Sequence, residues 1–233
     1  MTFTAAFSAP AAMRMPPVTR GLRVGLFGGT FNPAHAAHRA ASLLALKRLR
    51  LDRVWWLVTP GNPLKDNSSL PSLADRMAYA HAVANHPLID VTGVEAGLGT
   101  RYSFETVAAL KRRMPDVHFV WIMGADNLVH FHRWQRWRSL ADIVPIAVVD
   151  RMGSSLFATS AMASLTLSRY RVDESDAAIL PTLQPPAWVF LHGLKSSMSS
   201  TEIRAAQRAE DAVQQGYPLK PLIFAGFASI LGV

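Results

Sequence analysis

The chain has 233 residues, of which 50% are hydrophobic and 17% are charged, so it can bury a sizeable core and wholesale disorder is not expected. Cysteine is absent, which excludes disulfides, thiolate zinc sites and cysteine nucleophiles and favours a cytoplasmic location. The formal net charge of +8 suits either a nucleic acid or a small polyphosphate. Because the basic residues occur in short, dispersed groups, they favour solvated helix faces over a nucleic-acid surface.

Residues 1–20 contain no acidic side chain and are interrupted by Arg14 and three prolines. A signal peptide would need an unbroken apolar stretch here. We therefore expect a disordered leader, or a start codon assigned too early, since Met13 and Met15 follow. Residues 21–233 are expected to form a single domain. No window holds about eighteen uninterrupted apolar residues, so no membrane span is predicted.

Short apolar runs and helix-favouring segments alternate along the chain, which is typical of βαβ units. In chain order we predict a strand at 23–27, a helix at 34–50, a strand at 54–58, a helix at 72–86, a strand at 89–94, a helix at 103–114, and strands at 118–123, 145–149 and 188–191. Residues 151–187 show no clear period and are expected to be an insertion, either flexible or helical. The pattern predicts an α/β fold, a Rossmann-like doubly wound parallel sheet with helices on both faces. Ligands then bind at the carboxyl ends of the strands.

The first strand ends at a glycine pair, in the segment GLFGGTFNPAHAAHRA. Gly28 and Gly29 lack side chains, which would let a ligand approach the backbone. The amides of Gly29, Thr30 and Phe31 could point into that space, beside the positive N-terminus of the next helix. The spacing of a P-loop or of a dinucleotide-binding motif is absent. This strand end therefore predicts a phosphate site of another kind.

His35 and His38 open the helix that follows. Three residues apart, they should project from one face of its first turns. Imidazoles beside a phosphate can donate hydrogen bonds to charge that grows in a transition state. Metal binding would favour histidines four residues apart with a third ligand, which does not stand out. A structural pair that caps a packed turn is the remaining alternative.

A second polar segment follows the last predicted strand. Ser199, Ser200 and Thr201 read as the start of a helix, with Glu202 in its first turn. Arg204 lies a turn further on, where its guanidinium could reach anionic oxygens beside the exposed amides. An ordinary helix cap is the alternative interpretation.

Both segments resemble the nucleotidyltransferase superfamily that carries the (H/T)xGH signature. Residues 28–38 are similar to its GGTF(D/N)PxHxGH motif, with Ala37 in place of a glycine, and the segment from Met198 is similar to ISSTxIR, with methionine in place of isoleucine. The substitution at Ala37 bears on how the adenosine of ATP would lie against the helix. The two motifs occur in the expected order, which makes the resemblance more specific than either motif alone.

This resemblance implies that His35, His38 and Arg204 act in catalysis. It also implies ATP-binding positions, which are Gly28, Gly29, Thr30, Phe31, Ser199, Ser200 and Thr201. Mg²⁺ would enter with ATP, held mainly by phosphate oxygens and water.

Further segments resemble bacterial nicotinate-nucleotide adenylyltransferases within that superfamily. They are residues 59–65, 102–106, 124–127 and 131–134. The resemblance runs over residues 22–150 and 188–206. The usual Arg-Pro-Gly is Arg151-Met152-Gly153 here, and residues 151–187 are not usefully matched.

The acceptor implied by these segments is nicotinate mononucleotide. Its pyridine ring would stack on Trp134, although Trp137 could take that part or Trp134 could be a core residue. Asp126 would accept hydrogen bonds from ribose hydroxyls, or else cap a helix. Thr106 and neighbouring amides would face the nicotinate carboxylate. Lys65 would neutralise phosphate, or be a solvated loop lysine.

The reaction implied is transfer of AMP from ATP to nicotinate mononucleotide, with release of pyrophosphate, in NAD biosynthesis. Phosphopantetheine or nicotinamide mononucleotide are alternative acceptors. A basic RNA-binding module and a catalytically inactive nucleotide sensor are alternatives of other classes. Neither a nucleic acid nor a membrane is expected as a partner, and a homo-oligomer remains open.

Overall fold

In the computed structural model, the residues described are 13–61, 67–150 and 158–193. Within them, seven parallel strands form one sheet in the order β3-β2-β1-β4-β5-β7-β6. Strands β1 to β7 are Arg23–Gly29, Arg53–Val58, Ile89–Thr92, His118–Gly124, Ile146–Val149, Arg171–Val172 and Trp188–Leu191. The α-helices are Ala36–Arg48, Leu73–Ala84, Val94–Leu98, Ser103–Arg113, Ala125–His130, Trp137–Ile143 and Met162–Thr166. Three 3-10 segments cover Phe131–Arg133, Ser168–Tyr170 and Glu174–Thr182.

Two hydrophobic clusters lie on opposite faces of the sheet. Strand β4 contributes Phe119, Trp121 and Met123 to one cluster and Val120 and Ile122 to the other. A strand buried on both faces has no polar positions, which is why such strands read as continuous apolar runs. The predicted α/β sheet with helices on both faces is confirmed.

Two parts of the chain differ from the predicted elements. The strand predicted at 89–94 ends at Thr92, because the Thr92 hydroxyl accepts a hydrogen bond from the Val94 amide at 3.1 Å and the helix Val94–Leu98 begins there. The described part of 151–187 contains the helix Met162–Thr166 and the two-residue edge strand β6, which pairs with β7. A strand of two residues is too short to show an alternating pattern in sequence.

The order of the strands reverses direction at β1. The chain passes from β1 outward to β2 and β3, and then returns to place β4 on the other side of β1. In open α/β sheets, ligands bind at such a switch point, in the crevice outside the carboxyl ends of the strands. The fold therefore places a ligand site where β1 ends at Gly29 and β4 ends at Gly124. Among the helices of the described ranges, none is long and apolar enough to cross a membrane.

Candidate active site

The glycine pair at the end of β1 keeps part of its surface exposed, whereas residues 24–27 are buried. A Cβ at Gly28 would lie 2.7 Å from Cη2 of Trp121, so the missing side chain makes room for an indole. The approach of a ligand to this backbone stays a prediction. At Gly29 a Cβ would lie 3.4 Å from Cε2 of Phe31. Glycine at position 28 thus lets the Trp121 ring pack under the strand end, whereas the contact at Gly29 leaves room for a Cβ. Thr30 is partly exposed, as the two glycines are.

The side chain of Phe31 belongs to the core and not to the ligand surface. It is 2% exposed and stacks on Trp56, with 4.9 Å between ring centroids and 15° between planes. Its backbone has a φ of 46°, a left-handed conformation that a bulky residue adopts only where its surroundings hold it. Any contact between Phe31 and ATP would therefore be made by its backbone, in agreement with the predicted use of its amide.

His35 and His38 lie in contact at the start of the helix Ala36–Arg48, with 3.8 Å between their ring centroids. The predicted common face is thus present. The Nδ1 atom of His38 accepts a hydrogen bond from the His35 backbone amide at 3.2 Å, so the pair also caps the helix. Because Nδ1 accepts, the neutral ring of His38 carries its proton on Nε2. The cap uses one ring nitrogen, and a role toward a ligand falls to Nε2.

Aromatic rings and one hydroxyl hold His38 in place. Its ring centroid lies 4.9 Å from that of Phe31 and 5.9 Å from that of Trp56. The Trp56 indole donates to Ser42 Oγ at 2.8 Å, and that hydroxyl donates to the His38 carbonyl at 2.9 Å. Since both Trp56 and Ser42 are buried, the first turn of the helix is fixed to strand β2. Sequence reasoning did not identify these supporting residues.

Trp134 and Trp137 are distinguished by burial. Trp137 is 7% exposed and packs on Phe131 with 5.6 Å between centroids, as a core residue does. Trp134 is half-buried and meets the edge of Trp121 at 6.2 Å and 87°. Because Trp121 also lies over Gly28, Trp134 stands near the end of β1. Of the two, Trp134 is the ring with surface left for a ligand.

Asp126 and Thr106 have very different settings. Asp126 is exposed in the first turn of the helix Ala125–His130, directly after β4. Thr106 is fully buried; its hydroxyl donates to Glu95 Oε1 at 3.2 Å and lies 2.8 Å from the hydroxyl of Thr100. The expectation that Thr106 faces a substrate therefore does not hold for its side chain, whose hydroxyl bonds inside the protein. Only backbone amides near it could take that part.

Glu95 is a buried acid behind this segment, 4% exposed. Burial raises the pKa of its carboxyl from 4.5 to about 7, and the hydrogen bond from Thr106 opposes that rise. The unfolded chain ionises Glu95 near its ordinary pKa, so between these values the folded protein binds more protons than the unfolded chain. The free energy of unfolding therefore falls as pH rises through this window, by on the order of 3 kcal/mol for the full shift.

Replacing Glu95 by glutamine tests this ionisation. Glu95→Gln keeps a side chain that can hydrogen-bond to Thr106 but cannot ionise. Between about pH 5 and about pH 8, we expect wild type to lose on the order of 2–3 kcal/mol of unfolding free energy relative to the variant. Urea unfolding of both proteins at the two pH values measures the difference. Parallel pH dependence in the two proteins would show that Glu95 ionises normally.

Five predicted site residues lie outside the described residues. They are Lys65, Ser199, Ser200, Thr201 and Arg204. Within the described ranges, no three histidine, aspartate or glutamate side chains form a group that could hold a metal ion. The predicted entry of Mg²⁺ with ATP stays a prediction.

The sheet is that of an open α/β protein with a ligand crevice at its switch point, and the two contacting histidines beside it are donors suited to an anionic group such as a phosphate. The family model described as cytidylyltransferase-like matches residues 26–206. A relative from Bradyrhizobium sp. strain ORS 278, named probable nicotinate-nucleotide adenylyltransferase, is 58% identical over 78% of this chain and 95% of its own length. A relative of the same name from Brucella suis biovar 1 strain 1330 is 50% identical over 80% of this chain and 96% of its own.

Among solved structures, the chain is similar to the nicotinic acid mononucleotide adenylyltransferase of Plasmodium falciparum complexed with APC. The TM-score is 0.57 at 16% identity, over 79% of this chain and 83% of the other; at that identity the likeness concerns the fold. The family match and the relatives at 50% identity or more show the family as well as the fold. The chain belongs to the cytidylyltransferase-like family and, within it, to the nicotinate-nucleotide adenylyltransferases.

Proposed function

We propose that this chain transfers AMP from ATP to nicotinate mononucleotide, giving nicotinate adenine dinucleotide and pyrophosphate. The observation that carries the proposal is the contact between His35 and His38 at the switch point of the sheet. The names of the relatives support the choice of acceptor. A second structure of the Plasmodium falciparum protein, with a TM-score of 0.55, is described as complexed with NaAD.

The reaction is an in-line displacement at phosphorus. A phosphate oxygen of the mononucleotide forms a bond to the α-phosphorus of ATP, and the bond from that phosphorus to the bridging oxygen breaks, releasing pyrophosphate. A phosphate monoester is largely ionised at neutral pH, so no general base is needed. Catalysis is then positioning together with stabilisation of charge on the phosphate oxygens.

The two histidines supply hydrogen bonds to that charge. Because Nδ1 of His38 accepts from the His35 amide, its Nε2–H is the donor toward the α-phosphate. The N-terminus of the helix and the amides of Gly29, Thr30 and Phe31 add partial positive charge beside it. We further propose that Arg204, with the Ser200 and Thr201 amides, holds the β- and γ-phosphates.

Mg²⁺ is part of the MgATP substrate in this proposal. Its ligands would be phosphate oxygens and water, as is usual for Mg²⁺ in sites that bind nucleotides. Asp126 would accept hydrogen bonds from ribose hydroxyls of the acceptor, and Lys65 would neutralise its phosphate. We expect the protein to carry out this reaction in the cytoplasm.

Replacing Trp134 by alanine tests the pyridine site. Loss of the stacked ring should raise KM for nicotinate mononucleotide by about tenfold and leave KM for ATP unchanged. Trp134→Phe keeps a ring and should recover most of the loss. Steady-state kinetics with each substrate varied gives both constants. Equal rises in the two KM values would remove Trp134 from the pyridine site.

A pyrophosphate-release assay with several acceptors tests the proposed function. Purified enzyme is given MgATP with nicotinate mononucleotide, nicotinamide mononucleotide or phosphopantetheine at equal concentration. We expect the highest kcat/KM with nicotinate mononucleotide, and nicotinate adenine dinucleotide as the product by mass. A higher value with phosphopantetheine would assign the chain to another branch of the superfamily. No release with any of the three would leave the proposed function unsupported.

A further inference from the structure

The side chain of Arg76 is buried near the carboxyl ends of β1 and β2, where the proposed site also lies. It lies near the start of the helix Leu73–Ala84 and is 3% exposed. Its guanidinium donates four hydrogen bonds, each to an uncharged backbone carbonyl. Nη1 donates to the carbonyls of Thr30 and Thr59 at 2.8 Å each, Nη2 donates to Pro60 at 3.1 Å, and Nε donates to Pro71 at 3.0 Å.

These carbonyls belong to loops that leave neighbouring strands. Strands β1 and β2 pair as far as Gly29 and Val58, and the Thr59 amide donates to the Gly29 carbonyl at 3.0 Å. Thr30 is the next residue after β1. By bonding to the carbonyls of Thr30 and Thr59 together, Nη1 of Arg76 extends the connection between the two chain segments beyond the end of the sheet.

A guanidinium suits this position better than any other side chain. Its five N–H groups lie in one plane in a rigid fork, so the acceptors are held at fixed angles to one another. Burial lowers the pKa of Arg76, but a guanidinium remains charged in proteins. Burying the charge costs free energy that apolar packing would not. Arg76 therefore places a positive charge and a fixed geometry behind the two loops.

The geometry of the peptide bond passes this constraint on to two amides. In a trans peptide the N–H points away from the C=O of the same unit. The carbonyls of Thr30 and Pro60 share their units with the amides of Phe31 and Gly61, which therefore point away from Arg76. A charged donor on each carbonyl also polarises the amide of that unit. Phe31 belongs to the proposed ATP loop, and Gly61 precedes the segment that contains Lys65, proposed for the mononucleotide.

We propose that Arg76 is a positioning residue for adenylyl transfer. By joining the loop after β1 to the loop after β2, it sets the spacing between the α-phosphate of ATP and the attacking phosphate of the acceptor. This inference rests on the proposed function. Transfer in line depends on that spacing, and a displacement of about 1 Å can lower the rate of such a step by on the order of 10².

The test compares Arg76→Lys with Arg53→Lys. Arg53 is a matched control. It is the first residue of β2, so it lies at the amino ends of the strands, away from the proposed site. Its Nε donates to Asp90 at 2.6 Å, and its Nη2 donates to the Pro87 carbonyl at 3.1 Å. Both variants lose a planar fork and keep a charge. With both substrates saturating, at a temperature below either unfolding midpoint, we expect kcat to fall about tenfold to 100-fold for Arg76→Lys. Arg53→Lys should stay within about twofold of wild type.

A measurement on wild type covers the case in which Arg76→Lys does not fold. The ¹⁵N–¹H signals of the Arg76 Nη groups, which donate to Thr30, Thr59 and Pro60, are followed while an ATP analogue with a methylene bridge between the α- and β-phosphates is added alone. They are then followed while nicotinate mononucleotide is added alone. The proposal expects each ligand to shift these signals, since Arg76 bonds to both loops. A shift with neither ligand, or with only one of them, overturns it.

The outcomes separate this inference from the proposed function. If wild type transfers AMP to nicotinate mononucleotide and Arg76→Lys has an unchanged kcat, the positioning role is wrong and the proposed function stands. Equal losses of kcat in Arg76→Lys and Arg53→Lys also overturn the positioning role, because they indicate general destabilisation. An inactive wild type contradicts the proposed function itself.

Discussion

Replacing His38 by alanine is expected to lower kcat by on the order of 10²–10³, the usual effect of losing one hydrogen-bond donor to a transition state. The donor is Nε2–H, because Nδ1 accepts from the His35 amide at 3.2 Å. Since the charge on the α-phosphate oxygens grows during the displacement, the loss should appear in kcat more than in KM for ATP. Steady-state kinetics with both substrates saturating measures it.

The same histidine caps a helix, so a second variant must separate the two roles. His38→Asn places an oxygen close to the position of Nδ1 and can keep the cap, which is worth about 1 kcal/mol, but it has no donor at the position of Nε2. We expect His38→Asn to be as inactive as His38→Ala and more stable. His118→Ala, at an exposed position at the amino end of β4, is the control and should retain activity. A loss of kcat below about threefold in a folded His38→Ala protein would rule out the catalytic role.

Replacing Arg204 by alanine is expected to lower kcat/KM for ATP by on the order of 10². Removing one partner of a charge-assisted hydrogen-bonded pair costs about 2–5 kcal/mol, and the other partner here is the triphosphate. KM for nicotinate mononucleotide should change little, because the proposed contact is with the β- and γ-phosphates. Kinetics with each substrate varied in turn distinguishes the two effects.

Arg204→Lys is the matched variant, since it keeps the positive charge but lacks the planar guanidinium. An ammonium is a point charge and cannot form two parallel bonds to a phosphate, so we expect an activity between those of wild type and Arg204→Ala. Full activity of the lysine variant would mean that charge alone is needed. Unchanged ATP kinetics in Arg204→Ala would exclude the residue from the site.

The features predicted correctly from sequence are those that depend on residues close together in the chain. The strands inside the sheet are buried on both faces, so their apolar runs are continuous, as in β4. His35 and His38 are three residues apart at a helix start, and helical geometry alone brings them to one face. The glycine pair also indicated the end of β1, because it directly follows an apolar run in the sequence.

The features that could not be predicted depend on contacts between distant residues. The space at Gly28 is filled by Trp121 from the next strand of the sheet, which nothing in the local sequence indicates. The hydroxyl of Thr106 is bonded to Glu95 rather than to a ligand. Arg76 reads in sequence as an ordinary arginine near a helix start, although it bonds to the loop after β1 and to the loop after β2. Such contacts become visible only when the strand order is known.

The central claim is that His38 and Arg204 bind the triphosphate of ATP in one cleft. A crystal structure with nicotinate mononucleotide and an ATP analogue with a methylene bridge between the α- and β-phosphates tests this directly. We predict Nε2 of His38 within about 3.2 Å of an α-phosphate oxygen, and the guanidinium of Arg204 bonded to the β- or γ-phosphate. A triphosphate bound away from the carboxyl end of β1, with His38 and Arg204 on different sides of the molecule, would contradict the account.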